Sequence, residues 1–287
     1  MDYFQVAGLY FSFKKELTLL SSRMNYSPFI VNEYDDENFL FSVGVNLDLN
    51  YPHPFNNFLF TNEIGSYGVI CSKDTYTWIL KETTNNNIYL MCLNICYKQA
   101  FFNFNVVDAF TLQAADDFVR FAFIYAAAFH QTVLLHASCI KNKNRGIAFL
   151  GKSGIGKSTH SSLWLRYIEN SELINDDQPA VRIYNNRVVI YGTPWSGKTP
   201  CYKKLCTDLH AIVFMEQSQH NKLKIIGCIT LFKNLLSACS LIKTDKTSLK
   251  EISNTLAKIS ESVKGGILEN KPEKEAAILT YQFLESK

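Results

Sequence analysis

Two stretches of this 287-residue chain satisfy the phosphate-loop pattern G-x-x-x-x-G-K-[ST]: GKSGIGKS at residues 151–158 and GTPWSGKT at residues 192–199. The chemistry of that pattern is anion binding. Glycines let backbone amides converge on phosphate oxygens, a lysine reaches the β- and γ-phosphates, and a serine or threonine hydroxyl ligates Mg2+. One nucleotide needs one such loop. A phosphotransfer centre also needs a carboxylate for the metal and a group that orients or deprotonates the acceptor. The chain offers both: Asp176 and Asp177 follow the run ELIN, and His136 ends VLLH, just before the first loop.

A phosphate loop must be delivered by a strand and followed by a helix whose N-terminus points at the anion. Around residue 151 both are expected: GIAFL reads as a buried strand, and KSTHSSLWLRYIEN reads as a helix with Leu163, Trp164 and Tyr167 on one face and Asn170 near its end. The first match is therefore the nucleotide loop, with Gly151, Ser153, Gly154, Ile155, Gly156, Lys157, Ser158 and Thr159 as its contacts. Lys157 is expected at the β- and γ-phosphates, Ser158 on Mg2+, and Thr159 at the α-phosphate. Around residue 192 a strand, RVVIY, also arrives, but Pro194 removes an amide from the middle of the cradle and Trp195 brings bulk where glycines belong. The second match is expected to be a functional loop facing nucleotide or acceptor through Lys198, with a structural turn packed by Trp195 as the alternative.

Neighbouring side chains on a strand point to opposite faces, so Asp176 and Asp177 address one site only if the strand ends there. Asp176 is the base candidate and Asp177 the metal-linked one, and the two roles are exchangeable. His136 is read equally as a site residue or a core histidine, and His160 on the loop helix more as a core residue.

Residues 1–110 read as a β-rich domain of unknown role, with aromatic and β-branched runs such as FLFSVGV and IYLMCLNICY between turn clusters. His53 and the carboxylates at 35–37 fall in those turns. Residues 111–287 read as the nucleotide-binding domain: a helix from Thr111, taken as its cap, then strands, a hairpin across Asn185 and Asn186, and helices toward the C-terminus. The fold class is thus α/β, α+β overall, with a mixed sheet. A net charge of +3 and scattered lysines give no nucleic-acid stripe, and the most apolar helical run is too short to span a bilayer. The N-terminus shows no signal-peptide pattern, and eight cysteines lack zinc-ligand spacing. A soluble, cytoplasmic protein with free thiols is expected, with homo-oligomerisation open.

LLHAS, then GKSGIGKST, then NDD resembles the C-terminal catalytic domain of HPr kinase/phosphorylase. The serine before the second glycine is shared with phosphoenolpyruvate carboxykinases, which are similar in core fold. FLGKSGIGKSTHSSLWL, LINDDQPAVRI and IYGTPWSGKTPCY together resemble a Bacteroides-type group of HPr-kinase-like or carboxykinase-like proteins. The resemblance to HPr kinase covers about residues 130–200, and that to the group most of the chain. It implies a carboxykinase-related core preceded by the small β-rich domain. It also implies an ATP- and Mg2+-dependent kinase in which Asp176 activates a serine hydroxyl of a protein, peptide or small molecule, with His136 nearby. The sequence departs from HPr kinase at the Glu-x-Arg-Gly signature, where Val189 and Tyr191 precede Gly192. Phosphorylase activity and HPr as substrate do not carry over, and Lys198 becomes the replacement charge. A non-catalytic nucleotide-binding module in peptide maturation and a carboxykinase-like enzyme are the alternatives.

Overall fold

The computed structural model describes residues 1–50, 55–197, 199–240 and 245–286. The chain forms two compact units, Met1–Ala127 and Ala128–Lys287. His53 and Lys198 lie outside the described residues. Each unit holds a mixed nine-stranded sheet, and six α-helices occur among the described residues. None of these helices is long and apolar enough to cross a membrane.

The first unit contains β1 (Asp2–Val6), β2 (Leu9–Phe13), α1 (Thr18–Ser21), β3 (Ile30–Val31), β4 (Phe39–Val45), β5 (Phe60–Thr61), β6 (Gly65–Cys71), β7 (Thr75–Glu82), β8 (Ile88–Asn94), β9 (Gln99–Phe102) and α2 (Ala109–Ala128). Its strand order is β3-β1-β2-β4-β9-β8-β7-β6-β5. Phe4, Phe11, Phe13 and Phe41 are fully buried on the sheet, and Phe123 of α2 meets Phe11 edge-on. That packing places α2 with the β-rich unit, whereas the sequence division at residue 110 assigns it to the next one. The helix starts earlier than the sequence suggests because Asp108, not Thr111, caps it: Asp108 Oδ1 accepts from Thr111 N at 2.8 Å, and Asp108 N donates in return to Thr111 Oγ1 at 3.1 Å. Two consecutive acids, Asp116 and Asp117, are buried on α2 and accept from Tyr26 and Tyr67 hydroxyls at 2.6 and 2.7 Å.

The second unit contains β10 (Thr132–Leu134), β11 (Ala137–Asn142), β12 (Arg145–Leu150), α3 (Lys157–Tyr167), β13 (Ser171–Asp177), β14 (Ala180–Tyr184), β15 (Arg187–Tyr191), β16 (Cys206–Gln217), β17 (Lys222–Ile226), α4 (Cys228–Ala238), α5 (Lys246–Ser262), β18 (Lys264–Asn270) and α6 (Lys274–Glu285). The order is β10-β14-β15-β16-β12-β11-β13, with β18 beside β16 and β17 beside β18. β12, β16 and β18 are mutually parallel and the other pairs antiparallel.

The central strands are apolar without alternation because both faces are covered. Ala148 and Leu150 of β12 pack with Leu231 and Leu235 of α4 and Ile252, Leu256 and Ile259 of α5. Ile147 and Phe149 pack on the other face with Trp164 of α3 and Ala277 and Phe283 of α6. Asn185 and Asn186 both adopt positive φ, +49° and +58°, as a two-residue hairpin with the right twist requires.

Only two residues separate β10 from β11, and two separate β13 from β14. β10 pairs with β14 while β11 pairs with β13. Two bent strand pairs therefore share one corner, and the two ends of the strand order meet there.

Candidate functional site

One register line runs across the sheet at this corner: Leu150 opposes Ala137, and Ala137 opposes Asp177. Gly151, His136 and Asp177 consequently emerge at the same edge although 41 residues span them in sequence (177 − 136). β12 delivers the glycine turn at that edge and α3 begins immediately after it.

The turn uses its glycines as conformational hinges. Gly151, Gly154 and Gly156 adopt φ of +149°, +78° and +103°. A Cβ on Gly154 or Gly156 would meet nothing within 4 Å, so the turn faces open space there. Gly151 is hemmed in, with its position for a Cβ 3.0 Å from Ile155 Cγ2 and 3.1 Å from Met215 O. Ser153, Ser158 and Thr159 are exposed, as a ligand-facing set must be, and Ile155 is half-buried.

Lys157, the first residue of α3, is buried, and its ammonium folds back over the turn to donate to Gly151 O at 3.1 Å and Lys152 O at 3.4 Å. Burial lowers its pKa, opposed by the negative charges of Asp177 and Asp176. The lysine is thus hydrogen-bonded to the glycine turn and within electrostatic reach of the carboxylate pair.

The two aspartates have different surroundings. Asp177 is partly exposed, and its Oδ1 lies 2.9 Å from His136 Nδ1. The histidine is itself clamped by its backbone, His136 N donating to Ala238 O at 2.8 Å. Asp176 is 8% exposed, and among the described residues its carboxylate accepts no hydrogen bond. Its strand partner is Ser138, whose hydroxyl meets that of Ser161 on α3 at 2.6 Å, tying the strand of the histidine to the loop helix.

The second phosphate-loop match folds differently. Neither Gly192 nor Gly197 adopts a positive φ. Gly192 is required instead by close approach, since a Cβ there would lie 2.1 Å from Lys203 O. Trp195 is 3% exposed. Residues 193–197 lie along the end of β13, with Gly197 N donating to Asp176 O at 2.9 Å and a bridge between Asp177 and Ser196. The segment therefore forms a wall beside the carboxylates, and its Lys198 lies outside the described residues.

Sequence reasoning missed what holds this wall. The Asn175 amide donates to Trp195 O at 3.1 Å, Thr193 bonds Gln178 O at 2.8 Å, and Ser240 bonds the Gln178 side chain at 2.9 Å. The available signal was an asparagine immediately before two acids, a residue type that bonds to backbone a few positions on.

His160 belongs to the core. It is 1% exposed, stands edge-on to Phe149 at 4.5 Å, and contacts Thr280 Oγ1 through Nε2 at 3.1 Å. Burial pushes its pKa down to about 4. The buried face of α3 is Lys157, His160, Ser161 and Trp164, so the Leu163 and Tyr167 expected on one apolar face are only half-buried beside it.

The fold and corner define a mixed α/β protein with a strand–glycine turn–helix unit facing a histidine and two aspartates. No family model matches the chain, and no curated protein matches it. Among solved structures it is similar to the Hpr(Ser) kinase/phosphatase from Coxiella burnetii, at 13% identity and a TM-score of 0.30, over 52% of this chain and 86% of that one. A likeness of that size carries no argument about activity, which rests on the site alone.

Proposed function

We infer that the chain is an ATP- and Mg2+-dependent phosphotransferase with an HPr-kinase/carboxykinase-like nucleotide core, acting on a hydroxyl, serine by preference, of a protein, peptide or small molecule. The observation that carries this reading is Lys157, hydrogen-bonded to an open-facing glycine turn and within electrostatic reach of two carboxylates, one of which is paired to a histidine.

The loop amides and Lys157 would hold the phosphates. The residues fit a magnesium ion: Ser158 is exposed at the first turn of α3, and Asp176 has a carboxylate that accepts no hydrogen bond among the described residues. No group of three or more His, Cys, Asp or Glu gathers for a metal among those residues. That suits an ion that keeps waters and phosphate oxygens as most of its ligands. When bound, the ion neutralises charge on the β- and γ-phosphates.

The geometry favours exchanging the two aspartates' roles relative to the family-based expectation. His136 occupies Asp177 Oδ1, leaving Oδ2 to orient the acceptor hydroxyl and take its proton. Asp176 then serves the metal side. Catalysis would be mainly positioning and charge stabilisation. Val189, at the position of the HPr kinase glutamate, favours the second reading, a nucleotide-binding module without turnover.

ATP turnover by Asp177→Asn and Asp176→Asn separates the readings. The first variant should bind ATP yet lose turnover, and the second should need more Mg2+ for the same rate. Tight ATP binding by the unaltered chain with no phosphate transfer to any acceptor, water included, defeats the kinase reading.

A further inference from the structure

Asp176 and Asp177 end β13, opposite Ser138 and Ala137 in unbroken register. A set of side-chain bonds holds this end of the strand. Asn175 Oδ1 accepts from Gln178 N at 2.9 Å, closing a side-chain-to-backbone turn that contains only the two aspartates. The other end of the same amide points away from that turn. Nδ2 donates to Trp195 O at 3.1 Å, with Thr193 Oγ1 at 3.3 Å and Thr193 O at 3.4 Å.

Thr193 completes the circuit from the opposite side. Its hydroxyl donates to Gln178 O at 2.8 Å and accepts from Trp195 N at 3.2 Å. Both residues are 0% exposed. An amide is demanded at 175 because acceptor and donor are used in opposite directions. Aspartate would keep the first bond and lose the second.

We propose that Asn175 and Thr193 form a latch of positioning residues, which fixes the Asp176–Asp177 end of β13 and holds residues 193–197 against it as a rigid wall of the acceptor site. The proposal rests on the kinase reading above. The latch touches no substrate, and it acts through the direction in which the two carboxylates point. A small rotation of either is enough to misplace the acceptor hydroxyl.

The test uses the full-length chain and near-isosteric changes at 193. Thr193→Val keeps the shape and removes the hydroxyl, whereas Thr193→Ser keeps the hydroxyl. Asn175→Asp keeps the turn and releases the wall. Amide hydrogen exchange at Gly197 and Gln178 reads the latch, and steady-state ATP turnover with Mg2+, water serving as acceptor, reads its consequence. In Thr193→Val and Asn175→Asp, exchange at Gly197 should quicken about 10-fold or more and kcat should fall about 10- to 100-fold, with the KM for ATP within about 3-fold. Gln178 exchange should stay slow in Asn175→Asp, and Thr193→Ser should match the unaltered chain in every reading. Faster exchange with unchanged kcat would make the latch merely structural, and unchanged exchange would remove it altogether. Absence of phosphate transfer by the unaltered chain to water and to every other acceptor offered, with slow exchange at both amides, sinks the kinase reading and the positioning role that depends on it. Loss confined to the variants cannot be mistaken for that result.

Discussion

Replacing His160 with glutamine should make the protein less sensitive to acid. Glutamine places an amide nitrogen near the position of Nε2 and keeps a donor for Thr280, but it cannot take up a proton. The folded-state pKa of His160 is about 4 against an ordinary 6.5, because burial disfavours the imidazolium. The unfolded chain therefore binds more protons than the native one between those values. Stability from this group is fully present above about pH 7 and is lost as pH falls through 6.5 toward 4. Linkage between about pH 8 and pH 5 gives a loss of about 2 kcal/mol from this one side chain. Asp116, whose pKa burial raises, works in the opposite direction but is common to both proteins and cancels in their difference. At pH 8 the variant should be less stable by about 1 kcal/mol, having lost the edge-on contact with Phe149. Urea unfolding at the two pH values should show wild type and variant converging, then crossing, as pH falls. Parallel curves would refute the reasoning, since they would mean that His160 titrates alike in the folded and unfolded chains. The site is touched too, because His160 shares the buried face of α3 with Lys157.

Lys157→Met keeps the aliphatic stem and removes the charge, so binding of a fluorescent ATP analogue should weaken about 10- to 100-fold, the worth of hydrogen bonds to a charged group. Thermal melting without nucleotide should be unchanged or raised, because the native lysine keeps its charge against a burial penalty. Gly192→Ala should cost about 1–3 kcal/mol in urea unfolding, because a Cβ 2.1 Å from Lys203 O forces the crossing backbone apart.

Much of the second unit is legible in sequence where local rules act alone. GIAFL is apolar throughout because both its faces are buried, and the run of glycines after it has no other cheap explanation than a turn of positive φ. The Asn185-Asn186 hairpin follows from the residues that tolerate left-handed backbone. The same local rules separate the two phosphate-loop matches, since Pro194 and Trp195 are buried and neither flanking glycine adopts a positive φ.

What was not legible depends on distance in sequence. The helix over Ala109–Ala128 carries no mark of which unit it packs against. His160 reads in sequence more as a core residue, but its partners, Phe149 on another strand and Thr280 on α6, are not marked there. The partner of His136 could be either aspartate until strand register puts Ala137 opposite Asp177. Asn175 before two acids signals a local backbone bond, but its partners at 193 and 195 arrive by way of a hairpin and are not marked in sequence.

The corner where two strand pairs meet also sets when the site comes into being. β10 pairs with β14, joining Thr132 to Arg182, and the wall at 193–197 reaches β13 only after the intervening hairpin has formed. Contacts between residues so far apart close late, because loop entropy must be spent before they reward it. A chain still emerging from the ribosome at about residue 190 already carries the glycine turn and both aspartates, but it lacks the wall that orders them. Nascent fragments would hold the glycine turn and the carboxylates without the segment that packs beside them, and the arrangement would be completed only once residues 193–197 reach β13.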